Sequence, residues 1–237
     1  MRIYRTILFL SATVLLPTLS AGADEDVGAS GKDWVDLVPS QAPSGKIPGW
    51  GWFCEDAEVP VGKVWRLTPD GVLQCSGTPR GYLFTQRDFS DFELRLEWRF
   101  PGDKAGRGGV LLRTTEPHRI WPKSLEAQIN SPDAGDFWGL GGFSFHGPSD
   151  RLETVEHPVF GKLTHLSKAT AAEKPPGEWN AYQITVRGEE VVLVINGREV
   201  NRAARCETVP GKICLTAEGD PIEFRNIRLR VPERSRN

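Results

Sequence analysis

The sequence lacks an excess of charge of either sign and lacks long apolar runs. Its 237 residues include 29 basic and 31 acidic side chains, for a formal net charge of −2, so nothing indicates the basic surface that nucleic-acid-binding proteins use. The main apolar run, residues 7–16, is shorter than the roughly twenty residues that a helix needs to cross a bilayer. We therefore expect neither a nucleic-acid partner nor membrane insertion after the N-terminal segment is removed.

That N-terminal segment has the pattern of a secretory signal peptide. Arg2 and Arg5 precede the apolar run, Pro17 follows it, and residues 21–23 are the small residues of a cleavage site. We predict a signal peptide over residues 1–23, a disordered mature N-terminus over 24–33, one domain over 34–232 and a tail over 233–237. The protein is therefore expected to be exported, either to the periplasm or to the extracellular space.

Cysteine is scarce, and no two cysteines form a close pair of the kind found in zinc ribbons or thioredoxin-like sites. The four are Cys54, Cys75, Cys206 and Cys214. Because an exported protein meets an oxidising compartment, disulfides are expected, and proximity in sequence favours Cys54 with Cys75 and Cys206 with Cys214. Buried free thiols remain the alternative.

The sequence also lacks any amphipathic helical pattern of ten or more residues after residue 23, and its periodicity is that of β-strands. Residues 92–100 alternate apolar and charged side chains, which is typical of a half-buried strand. The alternation recurs in residues 124–130. Residues 182–186 and 191–195 are predicted to form a hairpin around Gly188, with a tight-turn signal after it at Asn196-Gly197, and residues 212–217 and 222–231 are predicted to be two more strands. Short strands joined by turns rich in Gly and Pro predict an all-β fold, a sandwich or jelly roll of two sheets.

One segment, residues 133–176, departs from this pattern. It is rich in Gly, Pro, His and Asp and contains five aromatic residues: Phe137, Trp138, Phe143, Phe145 and Phe160. A loop of that length in a compact domain is usually functional or disordered, and its aromatic content favours a packed loop beside a site.

Six blocks, in order, resemble the 3-keto-disaccharide hydrolase domain family. They are residues 89–99, 108–113, 125–129, 177–180, 195–197 and 219–227, which together extend over about residues 34–231. The resemblance implies a concanavalin A-like jelly roll of two antiparallel sheets and cleavage of glycosidic bonds in sugars that carry a ketone at carbon 3. One block departs from the family, which commonly has Asn-Ser-Gly where this chain has Arg107-Gly108-Gly109.

Alternation within the third block separates a candidate site from the core. Leu125, Ala127 and Ile129 share one strand face, whereas Glu126 and Gln128 share the other. Arg113 is expected on the corresponding face of its own strand, so the three polar side chains would line one groove. A surface salt bridge between Glu126 and Arg113 is the alternative.

The four histidines are few enough to consider singly. His146, within the aromatic segment, and His118, before the third block, are candidates for proton transfer because imidazole titrates near neutral pH. His157 and His165 have no supporting context. Asp136 and His146 could also ligate a divalent metal ion, although their spacing matches no recognised site, so the cofactor is left unknown.

The resemblance implies a route by β-elimination, in which the ketone acidifies the hydrogen on carbon 2, the group on carbon 1 leaves, and water is then added. We assign the proton transfer to Glu126 or His146 and the enolate oxygen to Arg113 or a metal ion. The predicted substrate-binding residues, which would contact a small carbohydrate, are Gln128, Glu97, His118, Trp121, Lys123 and Trp138.

Three alternatives stay open. Ordinary glycosidase chemistry would use two carboxylates, with Glu97 or Glu93 as the second. A carbohydrate-binding module without chemistry would also suit the fold, because jelly rolls serve lectins and enzymes alike. A structural envelope protein would have no pocket at all.

Overall fold

The computed structural model describes residues 33–39, 47–115 and 117–232. The predicted signal peptide, residues 24–32 and the tail 233–237 lie outside the described residues. Within those residues the structure contains sixteen strands and one 3-10 helix, Val61–Lys63, so it has no helix that is long and apolar enough to cross a membrane. The strands are β1 (Val35–Asp36), β2 (Trp50–Cys54), β3 (Trp65–Leu67), β4 (Leu73–Cys75), β5 (Gly81–Thr85), β6 (Phe92–Arg99), β7 (Gly109–Thr114), β8 (Ser124–Gln128), β9 (Phe137–Leu140), β10 (Leu152–His157), β11 (Gly161–Leu166), β12 (Asn180–Arg187), β13 (Glu190–Ile195), β14 (Arg198–Ala203), β15 (Lys212–Ala217) and β16 (Ile222–Arg230).

The strands form two sheets in which every neighbouring pair is antiparallel. Sheet A has the order β14-β13-β12-β6-β16-β4-β3, with β1 paired to β16, and sheet B has the order β10-β11-β9-β8-β7-β15-β5-β2. The all-β prediction of two antiparallel sheets is confirmed.

Period-2 alternation builds the core between the sheets. On β6 the side chains of Phe92, Leu94, Leu96 and Trp98 are 0–2% exposed and belong to one large apolar cluster. Leu125 and Ala127 of β8 join that cluster from sheet B. The alternate side chains of sheet B point to its outer face, which we call the site face.

The site face has its own smaller apolar cluster. Its buried members are Tyr82, Leu111, Leu140, Leu163 and Cys214, and partly exposed aromatic side chains pack against them, namely Phe53, Phe84, Trp121, Trp138 and Phe160. Sheet B is therefore covered on both faces, by sheet A on one and by loops and aromatic rings on the other.

The aromatic segment 133–176 is not the irregular loop expected from the sequence. It contains β9, β10 and β11, which extend sheet B beyond β8. Phe137, Phe143 and Phe145 pack into the main core, whereas Trp138 and Phe160 lie on the site face. The segment therefore contributes side chains both to the core and to the site face.

The predicted disulfides are wrong, because all four cysteines are free and buried. Cys54 lies on sheet B and Cys75 on sheet A. The two residues therefore lie in different layers of the sandwich, and no Sγ–Sγ bond joins them. Cys206 belongs to the main core and Cys214 to the site face, so sheet B separates their side chains.

Candidate active site

A row of cross-strand neighbours runs across the site face with Glu126 near its middle. Glu126 on β8 lies opposite Leu111 on β7 and opposite Trp138 on β9. Beyond Trp138 the row continues to His165 on β11 and Glu153 on β10. Because β8 alternates regularly, the expected placement of Glu126 and Gln128 opposite the core is what the structure shows.

The carboxyl group of Glu126 lies against Gly109. A Cβ atom at position 109 would come within 2.4 Å of Glu126 Oε1, so a larger residue there would displace this carboxyl group. Glu126 is 6% exposed, and no described residue forms a hydrogen bond with its carboxyl group. Burial, reinforced by the nearby charge of Glu218, raises the pKa of Glu126 well above its usual range.

Glu218, just after β15, is the second buried carboxyl group of the site. The hydroxyl of Thr216 donates to Glu218 Oε1 at 2.7 Å, and the Gly109 N–H donates to the same hydroxyl oxygen at 2.6 Å. Burial raises the pKa of Glu218 to about 7, although the Thr216 hydrogen bond and the charges of Arg107 and Arg80 oppose this rise. Gly109 and Thr216 thus connect the two carboxyl groups, which we call the carboxylate pair.

Two arginines bring positive charge to the Glu218 end of the pair. Arg107, at the position where the family commonly has Asn, forms an ion pair with Asp220 at 3.1 Å and is about half exposed. Its Nη2 lies 3.1 Å from where a Cβ of Gly219 would stand, directly after Glu218. Since Arg107 and Arg80 both favour the ionised form of Glu218, they distinguish it electrostatically from Glu126.

Aromatic side chains flank the carboxylate pair on the β5 and β2 side. His118 stacks on Phe84 with ring centroids 4.3 Å apart, and its Nδ1 lies 3.0 Å from the Tyr82 hydroxyl. Trp121 packs edge-on against Phe160, which lies between β10 and β11 towards the other end of sheet B. The predicted substrate residues His118 and Trp121 therefore lie on the site face.

On the opposite side of Glu126, Gln128 and Trp138 belong to a connected polar group. Trp138 Nε1 donates to Gln128 Oε1 at 3.2 Å, and the indole is stacked on the His165 ring with centroids 4.1 Å apart. His165 lies between two carboxylates, with Nε2 at 2.8 Å from Asp136 Oδ2 and Nδ1 at 2.8 Å from Glu153 Oε1. Burial lowers the pKa of His165, but these two hydrogen bonds and the charges of both carboxylates together outweigh it, so the pKa is raised overall.

Arg113 is not in the groove, contrary to expectation. Its guanidinium is 1% exposed and donates to the carbonyl oxygens of Ser90, Gly188 and Glu207. The alternation fails because Arg113 has a positive φ of 52° and because the pairing of β7 with β15 is irregular there. Arg113 therefore connects three loops and cannot hold an enolate beside Glu126.

Three further predicted residues are engaged elsewhere. Glu97 lies on the outer face of sheet A, where Arg225 binds it, so it is not a second carboxylate for Glu126. His146 has an exposed side chain, and its backbone pairs with Ala204 beyond β14 of sheet A, so the structure does not bring it to Glu126. Lys123 Nζ forms an ion pair with Glu207 at 2.7 Å.

The described residues contain no group of three or more His, Cys, Asp or Glu side chains arranged to hold a metal ion. Asp136 and His146, considered as ligands from the sequence, are not paired: Asp136 binds His165 and the backbone N–H of Lys168 instead. We assign no metal ligands.

Comparison with sequence families now adds to this geometry. The family described as the 3-keto-alpha-glucoside-1,2-lyase-like domain matches residues 31–230. The chain belongs to this family. A search of curated proteins gave no match. It is the family that the six sequence blocks indicated.

Solved structures with similar folds are diverse in sequence. A candidate glycosyl hydrolase from Parabacteroides distasonis is 21% identical, with a TM-score of 0.57, over 84% of this chain and all of that chain. The carbohydrate-binding module CBM66 from Bacillus subtilis is 14% identical, with a TM-score of 0.52, over 77% of this chain and 95% of that chain. A non-specific endo-beta-1,3(4)-glucanase of family GH16 is 11% identical, with a TM-score of 0.53, over 84% and 91%. At these identities the likeness concerns the fold, and the concanavalin A-like jelly roll is confirmed.

Sequence reasoning missed two residues of the site, Glu218 and His165. Glu218 continues the alternation of Cys214 and Thr216, so extending β15 by one residue would have placed it on the site face. His165 shares a face with Leu163 on β11, but the strand was not recognised because turn residues dominate its surroundings. Alternation along β15 would have identified Glu218, whereas His165 is recognised only from the pairing of β11 with β9 and β10.

Proposed function

We propose that this protein cleaves 3-keto glycosides by removing the proton on carbon 2 and eliminating the group on carbon 1. The observation that carries the proposal is the carboxylate pair, two buried glutamates that lie at the same glycine on the site face and whose pKa values are both raised, in a member of this family. Titratable groups shifted by burial and by one another are typical of acid–base sites.

The surroundings of the two carboxyl groups divide the roles. Glu126 has no hydrogen bond from the described residues, and burial together with the charge of Glu218 favours its protonated form, so we assign it the role of the acid. Glu218 accepts from Thr216 and lies near Arg107 and Arg80, so it is the ionised member and serves as the base. This division revises the expectation that Glu126 or His146 removes the proton.

Each step then has a group to perform it. Glu218 takes the proton from carbon 2, and the C–H electron pair forms the enolate with the ketone at carbon 3. The enolate expels the oxygen on carbon 1, which receives a proton from Glu126 as the bond breaks. The elimination by itself is a lyase reaction, and addition of water across the new double bond completes a net hydrolysis.

A carbohydrate-binding module is the second candidate, favoured by the partly exposed Trp121 and Trp138 and by the fold shared with CBM66. Buried carboxyl groups with raised pKa values lower the stability of a protein, and a purely binding surface gains nothing from them. The carboxylate pair therefore favours catalysis.

The decisive experiment incubates the purified protein with a 3-keto disaccharide and with its unoxidised parent, with and without a chelator. We expect cleavage of the 3-keto form alone. Cleavage of both would support ordinary two-carboxylate glycosidase chemistry, and cleavage of neither, with binding retained, would support the binding module. Activity lost with the chelator and restored by a divalent metal ion would assign the enolate oxygen to that ion.

We further propose that the protein acts outside the cytoplasm, on the basis of the sequence pattern of residues 1–23. Sequencing the N-terminus of the protein recovered from the periplasm or medium of an expressing bacterium should give Asp24 as the first residue. An intact Met1 in the cytoplasmic fraction would refute this.

A further inference from the structure

The reaction proposed above requires a hydrogen-bond donor for the oxygen on carbon 3, and Arg113 does not supply it. Another donor on the site face is the amide of Gln128, whose direct cross-strand neighbour is Gly109. Because Gly109 has no side chain, the Glu126 carboxyl group lies directly over it, and Gln128 follows Glu126 on the same face of β8. Glu218 reaches the same glycine through Thr216.

The orientation of the Gln128 amide follows from its partner. An indole N–H can only donate, so the Gln128 atom that faces Trp138 Nε1 must be the oxygen. The amide nitrogen is then the free end, and no described residue accepts a hydrogen bond from it. A carbonyl or enolate oxygen is the complementary ligand group.

The orientation of Trp138 is fixed in turn by His165. One face of its indole is covered by the His165 ring at 4.1 Å, with the two planes only 19° apart. His165 is held at both ring nitrogens, by Asp136 from the loop before β9 and by Glu153 from β10. Since carboxylates only accept, both nitrogens donate and the ring cannot turn without losing a hydrogen bond.

We propose that Gln128 is the donor that stabilises the oxygen on carbon 3 of the substrate, and that His165 is a positioning residue that fixes this donor through Trp138. The inference rests on the proposed function and names a catalytic role for an amide that sequence reasoning had placed only in substrate binding. It also gives a purpose to His165, which the sequence left without context.

The direct test replaces Gln128 by glutamate. Gln128→Glu keeps an oxygen acceptor for Trp138 Nε1 but removes the donor. With a 4-nitrophenyl 3-keto-α-glucoside as the probe, we expect kcat to fall about 10²- to 10³-fold, as when one oxyanion donor is removed, with KM changed far less. Gln183→Glu, the same change on the outer face of sheet A, is the matched control and should leave kcat unchanged.

The positioning role of His165 is tested by a double-mutant cycle. His165→Phe keeps a ring on Trp138 but loses both hydrogen bonds, and Trp138→Phe keeps the ring on His165 but loses the indole donor. Each should lower kcat roughly 10-fold or more in the wild-type background. In the Gln128→Glu background each should lower it less than about 2-fold further, because the donor they orient is already absent.

The outcomes distinguish a failure of this inference from a failure of the proposed function. Full activity of Gln128→Glu, or equal effects of His165→Phe and Trp138→Phe in both backgrounds, would overturn this inference while the proposed function stands. Absence of turnover by the wild-type protein would overturn both. If His165→Phe does not fold, Trp138→Phe alone decides the cycle.

Discussion

Glu126 and Glu218 are chemically identical side chains that the fold places in different surroundings. Glu126 has a second carboxyl group nearby and no hydrogen-bond donor among the described residues, whereas Glu218 has a hydroxyl donor and two arginines within electrostatic reach. The assignment of acid and base depends entirely on this difference. It leads to two predictions, one for each glutamate.

Replacing the acid should matter only where the leaving group needs a proton. Glu126→Gln should lower kcat about 10²- to 10⁴-fold for a 3-keto disaccharide but much less for a 4-nitrophenyl 3-keto-glucoside, whose leaving group departs without protonation. Glu97→Gln on the outer face of sheet A is the control and should behave as wild type. Full turnover of the disaccharide by Glu126→Gln would show that Glu126 is not the acid.

Replacing the base should change both the rate and the pH dependence of stability. The pKa of Glu218 is about 7 when folded, above the value near 4.5 of an unperturbed glutamate, so wild-type stability should fall as the pH rises between these values. Glu218→Gln should abolish turnover with either leaving group and should be more stable than wild type by roughly 1–3 kcal/mol at pH 8, but not at pH 4.

Urea unfolding at both pH values measures this difference, and wild-type kcat should rise with pH through about 7 as Glu218 ionises. A Glu218→Gln variant that is no more stable than wild type at pH 8 would contradict the raised pKa of Glu218.

Strand alternation correctly predicted which face of the sheet a side chain occupies where the strand is regular. It placed Glu126 and Gln128 correctly, because β8 has no bulge. It failed at Arg113, where a left-handed backbone and an irregular pairing turn the side chain towards loop carbonyls. Periodicity cannot show such a break, since it depends on contacts with residues distant in sequence.

Among the elements, the loops around Arg113 illustrate how one side chain stabilises several connections. The guanidinium hydrogen-bonds the segment before β6, the β12–β13 turn and the loop after β14. These three connections have no strand pairing of their own at this point. Arg113 therefore contributes to stability and not to chemistry.

Arg113→Lys should reduce the free energy of unfolding by about 2–4 kcal/mol, because an ammonium cannot replace the planar fork and leaves buried carbonyls unpaired. Urea denaturation compares it with Arg225→Lys, a partly exposed ion pair on sheet A that should cost less than about 1 kcal/mol. Equal losses in the two variants would contradict the structural role. The kcat of folded Arg113→Lys should stay within a few-fold of wild type.

The segment 133–176 marks the limit of prediction for whole elements. Its strands β9, β10 and β11 are short and interrupted by turn residues, so the period-2 pattern is weak. Pairing with β8 makes them strands, through contacts such as Glu126 with Trp138. The aromatic content correctly indicated a packed segment, but its strands and the position of His165 required the tertiary structure.

For the molecule as a whole, the sequence predicted the class of fold and the family, because alternation and ordered motifs extend along most of the chain. It favoured disulfides over the buried free thiols that the structure contains. Proximity in sequence favoured pairs that the two-layer architecture separates, with Cys206 and Cys214 on opposite faces of one sheet. Proposals of export and of a carbohydrate substrate rest on the N-terminal pattern and on the family.

The central claim is that the bond breaks by elimination after loss of the proton on carbon 2. Cleavage in D₂O tests it most directly, with the sugar product analysed by NMR immediately after turnover and with the product incubated alone as the control for spontaneous exchange. The account predicts one solvent deuterium at carbon 2 of every product molecule, and a C2-deuterated substrate should react more slowly. Product that retains its original hydrogen at carbon 2 would contradict the account.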